Sequence, residues 1–465
     1  MEENQDKNLN EDKKEEKNKE KKEENKENKK EKKEKKEKKD KKEKKEKVKE
    51  PKEKKEKQQQ NETNKQKPEI MESEYKVPPT IFQIDESGLI DYKKGLELYD
   101  LKKIELGDDN LKSSEIIGLN EIMNSFLEKD ILVGGKNLDK LKNNKNIFLF
   151  YELIFNNHTQ LALNEIFILD IIKNLLEKNP DLHLIIQISD DDLYSKGKFK
   201  FHEVSKFALE KTENVLKYIS TEKNKNQIHI FSNSSFRLKD NNFESIVSNF
   251  KMKISYEKVI KLFNITEDDP VSALDYPCYI AMATNPEIYT NYIPQIKKDF
   301  TCLIINSIYN MNRYQLSFDA AKICNFTEPI LLATKIIPPL TGINGYECNF
   351  NFIDNLILLS GDERKTLENK IKKHAISGSR GSGSLEDHQK LGGDVIKDIA
   401  CQYLAFIEKN VEKYKETIDK FGKGQITCGE TKKLMLESVD ELFKIVREGK
   451  FDNNAIKDFF IIKDS

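Results

Sequence analysis

The chain has 465 residues, with 80 Lys plus Arg against 81 Asp plus Glu, so its net charge of -1 gives no overall field to hold it on a polyanion. Charged residues make up 35% of it and no run approaches the ~20 apolar residues of a membrane-spanning helix, so no membrane association is expected. The six cysteines (278, 302, 324, 348, 401 and 428) stand singly with no C-x-x-C, which points to reduced thiols and no metal site.

The charge balance conceals a division. Residues 1–57 carry 26 Lys against 20 Asp plus Glu, a surplus of +6 that leaves -7 on the remainder. Only Met1, Leu9 and Val48 are apolar there, so nothing can bury enough surface to offset chain entropy. Acids three apart (Glu31, Glu34, Glu37) support i,i+3 pairing on an exposed helix or coil that ends near Pro51 and the Gln58-Gln59-Gln60 tract. A charged, low-complexity tail over 1–72 is the expectation. It lacks the apolar core of a secretory signal, which favours the cytoplasm.

The remaining ~390 residues suffice for two packed domains. Nearly continuous apolar runs at 147–151, 182–188, 227–231, 302–305 and 330–333 read as strands covered on both faces. Helical patterns between them, notably 161–177 and 202–218, predict an α/β fold with a Rossmann-like, doubly wound parallel sheet. From 361 onward the pattern is helical only, with elements expected at 394–408, 427–448 and 453–462. The Gly-Ser cluster at 378–383 follows a helix and lacks a Gly-Lys-Ser/Thr ending, so a connector is expected rather than a phosphate loop. Gly392-Gly393 is expected to cap a helix.

The stretch Lys373-His374-Ala375-Ile376-Ser377-Gly378, then a Ser/Gly loop, then Leu385-Glu386-Asp387-His388-Gln389-Lys390-Leu391-Gly392-Gly393, carries a family likeness. It resembles the approach to the anticodon-binding helices of eukaryotic-type tryptophanyl-tRNA synthetases, which are class I enzymes. Four weaker matches share the family's order. Ile90-Asp91-Tyr92-Lys93 is similar to a short hairpin before the catalytic domain. Gln187-Ile188-Ser189-Asp190-Asp191-Asp192 is similar to Gln-x-Thr-Asp-Asp-Glu at a strand end. Ile337-Pro338-Pro339-Leu340 with Gly342 resembles the approach to the second catalytic loop, and Gly429-Glu430 with Lys432-Lys433 resembles a helix start. The likeness spans roughly 88–450. It implies an N-terminal extension with a short hairpin and helices at 73–140, a catalytic domain at 141–360 and a helical anticodon-binding-like domain at 361–465. It also implies ATP with Mg, L-tryptophan, tRNA and a homodimer.

In that family tryptophan's carboxylate attacks the α-phosphate of ATP, and the charge that builds up is held by positioned donors. These are a His-x-Gly-His at a helix start and a Lys-Met-Ser-x-Ser loop. Here the first place is held by Leu161, Ala162, Leu163 and Asn164, with Glu152 in the preceding turn and His158 offset from it. The second is held by Tyr346, Glu347, Cys348, Asn349 and Phe350, and no Lys or Arg lies between Lys335 and Arg364. The family's Asp-Gln-Asp is Tyr309-Asn310-Met311. Losing one such donor costs about a hundredfold in rate, so a loss of at least ~10⁴-fold is expected.

Tryptophan binding falls by resemblance to Gln187 and Asp192, with Phe150 in place of a tyrosine and Ile280 near an expected glutamine. Candidate tRNA contacts are Lys373, Arg380, Lys432 and Lys433, with Lys372 and Lys423 beside them. The tail then reads either as a solubilising polyampholyte or as a salt-sensitive tRNA-steering segment. Three readings stay open: an impaired paralogue kept as a tRNA-binding or regulatory protein, a divergent working ligase, and an interaction protein that does not bind tRNA.

Overall fold

Six strands form one sheet in the order β1-β6-β5-β2-β3-β4: β1 (Leu132–Lys136), β2 (Ile147–Leu153), β3 (His183–Ile188), β4 (Ile228–Ser232), β5 (Thr301–Ser307) and β6 (Ile330–Thr334). The computed structural model describes residues 90–154, 159–191, 201–263, 265–267, 269, 271–342, 357–452 and 455–462, all within one compact unit, Ser73–Ser465. The tail, His158, Asp192, and Tyr346, Glu347, Cys348, Asn349 and Phe350 lie outside the described residues.

Strands β2 to β6 are parallel, and all five lie where the apolar runs predict them. From β2 the chain builds outward through β3 and β4, then returns to build β5 and β6 on the other side. The reversal leaves a crevice beyond the carboxyl ends of β2 and β5. Side chains of β2 alternate between the two faces. Leu149, Tyr151 and Leu153 join one apolar cluster and Phe148 and Phe150 the other, so both faces are buried and no polar alternation appears in the sequence.

β1 was not anticipated. It is short, contains Gly134 and Gly135, and pairs antiparallel with β6 at the sheet edge. A Cβ on Gly134 or Gly135 would overlap the Lys102 or Leu331 carbonyl, so packing excludes the β-formers that mark a strand. Both sheet edges are covered. Lys102 exchanges two backbone hydrogen bonds with Gly135 outside β1, and Ile461 N–H donates to the Ile230 carbonyl (2.9 Å) outside β4.

Before the sheet come α1 (Tyr92–Leu98), a single turn at Asp109–Lys112, and α2 (Leu119–Glu128). Ile90 makes one bridge, but the anticipated hairpin is replaced by α1, because Asp91 accepts from Lys93 N–H and Lys94 N–H and caps a helix. Next are α3 (Leu163–Lys178), α4 (Phe201–Ile219), α5 (Asn233–Lys239), α6 (Asn241–Lys251), α7 (Tyr256–Phe263), α8 (Tyr276–Met282) and α9 (Gln315–Cys324).

The C-terminal region holds α10 (Arg364–His374), α11 (Leu385–Leu391), α12 (Ile399–Ile407), α13 (Val411–Gly422) and α14 (Cys428–Glu448). The helix expected at 453–462 is, over its described part, a short 3-10 turn (Ala455–Phe459) that leads into the edge bridge at Phe460. The apolar pattern there serves sheet-edge contact rather than a helix face. The apolar cluster that contains Leu149 and Leu184 runs without a break into Leu367, Tyr403 and Met435 of these helices.

Candidate functional site

The carboxyl ends of β2, β3, β4 and β5 converge on one polar network. In the register of the sheet Glu152, Gln187 and Phe231 stand side by side, so Glu152 and Gln187 project on the face that holds Phe150. Glu152 is fully buried and accepts a two-pronged contact from Arg313: Nε lies 3.0 and 2.9 Å from the two carboxylate oxygens, and one terminal nitrogen closes the fork. Ser189 Oγ donates to the same carboxylate at 3.2 Å. Arg313 comes from the 3-10 turn Ile308–Tyr314 after β5, and its guanidinium lies 5.9 Å and 5.8 Å from the ring centres of Phe263 and Tyr276.

Gln187 is fully buried. Its Nε2 donates to Asn233 Oδ1 (2.8 Å), and Asn233 Nδ2 donates to Asp191 Oδ1 (2.7 Å). Its Oε1 has no partner among the described residues. Asp190 accepts from Ser232 Oγ (3.0 Å), Ser234 N–H (3.1 Å) and Ser234 Oγ, so it ties β3 to the start of α5. Burial raises its carboxyl above the usual range, against the pull of those hydrogen bonds. Asp190 thus supports the first turn of a helix on the neighbouring strand's side. Phe150 meets Tyr314 edge-on (centres 6.3 Å apart), and Tyr314 Oη accepts from Asn306 Nδ2 at 2.9 Å. Burial, then the Glu152 charge, pushes the Tyr314 phenol well up. Ile280 is buried in the same apolar cluster as Phe150. Asn310 donates to Asn306 and Met311 is buried, so the turn after β5 is spent on internal contacts.

The start of α3 is closed by its own chain. Leu161 N–H donates to Ser360 Oγ (3.0 Å), Ala162 N–H to Glu165 (2.9 Å) and Leu163 N–H to the Leu358 carbonyl (3.1 Å). Ser360 N–H returns a bond to the Leu161 carbonyl, and Ala162 and Leu359 form a β-bridge. Leu161 and Leu163 are buried and Asn164 is half-buried. Glu165 also pairs with Lys211 (2.7 Å), which is fully buried and donates to the Ile154 carbonyl at 2.8 Å.

In the C-terminal helices the motif over 373–393 is largely architectural. His388 is buried, with Nε2 2.7 Å from the Ile426 carbonyl and its ring against Phe421. Gly392 has φ +71°, and a Cβ there would overlap the Gly422 carbonyl, while one on Gly393 would overlap the Phe421 ring. Gly378 N–H donates to Asp398, and Ser382 bonds Asp387, so the connector is pinned at both ends. Lys432 Nζ donates to the Ala375 carbonyl (2.6 Å) and Arg380 to the Leu391 carbonyl (3.1 Å). Lys372 and Lys423 pair with Glu368 and Asp419, whereas Lys373 and Lys433 are exposed.

The residues not anticipated are Arg313, Asn233, Ser360 and Lys211. Arg313 had a signal: it is one of five arginines beside 75 lysines, placed just after a strand end.

No family model matches the chain. It is 25% identical over 282 residues to the cytoplasmic tryptophan–tRNA ligase of Oryctolagus cuniculus, a match covering 60% of this chain and 56% of that protein. The cytoplasmic enzyme of Saccharomyces cerevisiae is 26% identical over 284 residues, covering 60% and 63%. The match thus spans less than two thirds of these relatives' length. In fold the chain is similar to the tryptophanyl-tRNA synthetase of Plasmodium falciparum, with TM-score 0.68 and 22% identity over 80% of this chain and 97% of that one.

Proposed function

We propose that this chain, which belongs to the tryptophanyl-tRNA synthetase family, is a catalytically impaired paralogue that keeps tRNA binding but does not make tryptophanyl adenylate. The closed start of α3 carries the reading. A helix start attracts phosphate through unpaired N–H groups, and here Leu163 and Glu165 of the first turn, with Leu161 and Ala162 just before it, have given theirs to the protein. Glu152, buried at the end of β2, holds the Arg313 guanidinium in a closed ion pair, so that cation is not offered to a triphosphate. These residues do not fit ATP with Mg. The helices around 373–393 keep the family's architecture, and exposed Lys373 and Lys433 are the basic groups offered to RNA backbone.

The decisive assay is tryptophan-dependent exchange of pyrophosphate into ATP, run beside filter retention of tRNA. No exchange above blank is expected, at least ~10⁴-fold below a working enzyme, with tRNA retention that weakens as salt rises. Robust exchange overturns the reading. Absence of both exchange and retention leaves an interaction protein.

One observation favours a divergent working ligase: the buried Oε1 of Gln187, which has no partner among the described residues, is an acceptor suited to an indole N–H. With no Trp in the chain, emission from added L-tryptophan reports binding without background. Binding abolished by Gln187→Leu, together with exchange, would establish that alternative. A homodimer and a cytoplasmic setting belong to the same proposal, the first checked by sedimentation.

A further inference from the structure

On the face of the sheet opposite Phe150, α2, α3 and the end of α12 enclose a half-open cavity of about 240 Å³. Its floor is aromatic. Phe126 and Phe167 lie 5.3 Å apart, and Phe406 meets Phe167 edge-on at 5.2 Å, all three buried. Two polar groups on this wall are incompletely matched. Lys129 is 5% exposed, its ammonium donates to the Glu408 carbonyl (3.0 Å) and lies 5.6 Å from the Phe126 ring centre. It makes no salt bridge among the described residues. Asn174 Oδ1 is buried without a partner among them.

The other charges of the rim are already matched. Asp170 holds Lys409 (2.9 Å) and the Tyr218 hydroxyl (3.0 Å), and Glu408 holds Lys413 (2.6 Å). Glu121 faces Lys178 at 3.6 Å. The rim cation with no direct salt bridge among the described residues is therefore the most buried one, with the Glu408 carboxylate, itself held by Lys413, as its more distant counter-charge. Burial lowers its pKa to about 8, with the Glu408 charge acting the other way, so near neutral pH it remains mostly an ammonium that lacks solvation.

We propose that this cavity binds a small apolar monocarboxylate, its body on Phe126, Phe167 and Phe406, its carboxylate on the Lys129 ammonium. An ammonium offers three donors and Lys129 spends one on Glu408. A cavity of this size admits a ligand of about ten heavy atoms, smaller than most cofactors. A protonated or hydroxylated terminus could reach Asn174, but the charge on Lys129 sets the preference for an anion.

The probe is octanoate, titrated calorimetrically into the full chain, with 1-octanol as its uncharged counterpart. Saturable octanoate binding is expected, about tenfold tighter than octanol. Lys129→Met keeps the aliphatic stem; it should remove that preference, weakening octanoate about tenfold and leaving octanol unchanged. No saturable octanoate binding up to about 5 mM overturns the proposal, as does a Lys129→Met variant that binds octanoate as tightly as the parent does. If that variant does not fold, the comparison within the parent decides: equal affinity for acid and alcohol overturns it.

Discussion

Glu152 and Arg313 show how one pair of residues can decide the character of a site. Burying a carboxylate costs several kcal/mol unless a partner meets it with good geometry, and the fork from Arg313 with the Ser189 hydroxyl supplies that. Glu152→Gln should therefore destabilise the protein by about 2–4 kcal/mol, because it strands a largely buried guanidinium. The double variant Glu152→Gln/Arg313→Met should recover most of the loss in urea unfolding. Equal destabilisation of both would mean the pair is not a unit. A second residue-scale test concerns His183 and His229, whose ring nitrogens are 3.0 Å apart on adjacent strands. Burial lowers both pKa values, with that of His229 falling to about 3, so the His229 imidazole stays neutral in the folded state through mildly acidic pH. Below the ordinary value near 6.5 the unfolded chain takes up protons that the folded chain refuses, so stability falls with pH across that window. His229→Gln should reduce the loss between pH 6.5 and 5 by about 1 kcal/mol, read as a shallower pH dependence of the urea midpoint.

At the scale of elements, what the sequence made legible depended on how local the cause was. The five parallel strands announce themselves because both faces are buried, so their apolar runs are unbroken. β1 does not, because Gly134 and Gly135 are required by close neighbours and erase any strand pattern. The α1 helix departs from the hairpin implied by the likeness of Ile90-Asp91-Tyr92-Lys93, because its one local signal is the Asp91 cap. In the site, residue types were readable but partners were not. Glu152 stands 161 residues from Arg313, and Leu161 stands 199 from Ser360; no periodicity links such pairs. The motif at 373–393 is recognisable for a physical reason: Gly392, Gly393 and His388 are each fixed by contact with the end of α13 or the turn after it, so substitution there is sterically costly.

For the whole molecule, the two ends of the described chain close the two edges of the sheet. The segment around Lys102 lies along β1, and Phe460 and Ile461 lie along β4. An uncovered parallel edge offers unpaired N–H and C=O groups to any other chain. The cover on β4 is slight in extent but specific: Ile461 N–H to the Ile230 carbonyl, with Ile456 and Phe459 buried behind it. Ile461→Pro removes that donor while keeping an apolar ring, and Ile461→Ala removes side chain while keeping the donor. The proline variant should lose about 1–3 kcal/mol and scatter light at lower temperature than the alanine variant, since it leaves the Ile230 carbonyl without its bond and loosens the segment that hides the edge. Thermal unfolding followed by circular dichroism and by scattering separates the two effects. If alanine proves as damaging as proline, the segment acts through apolar burial alone and the edge hydrogen bond contributes nothing measurable.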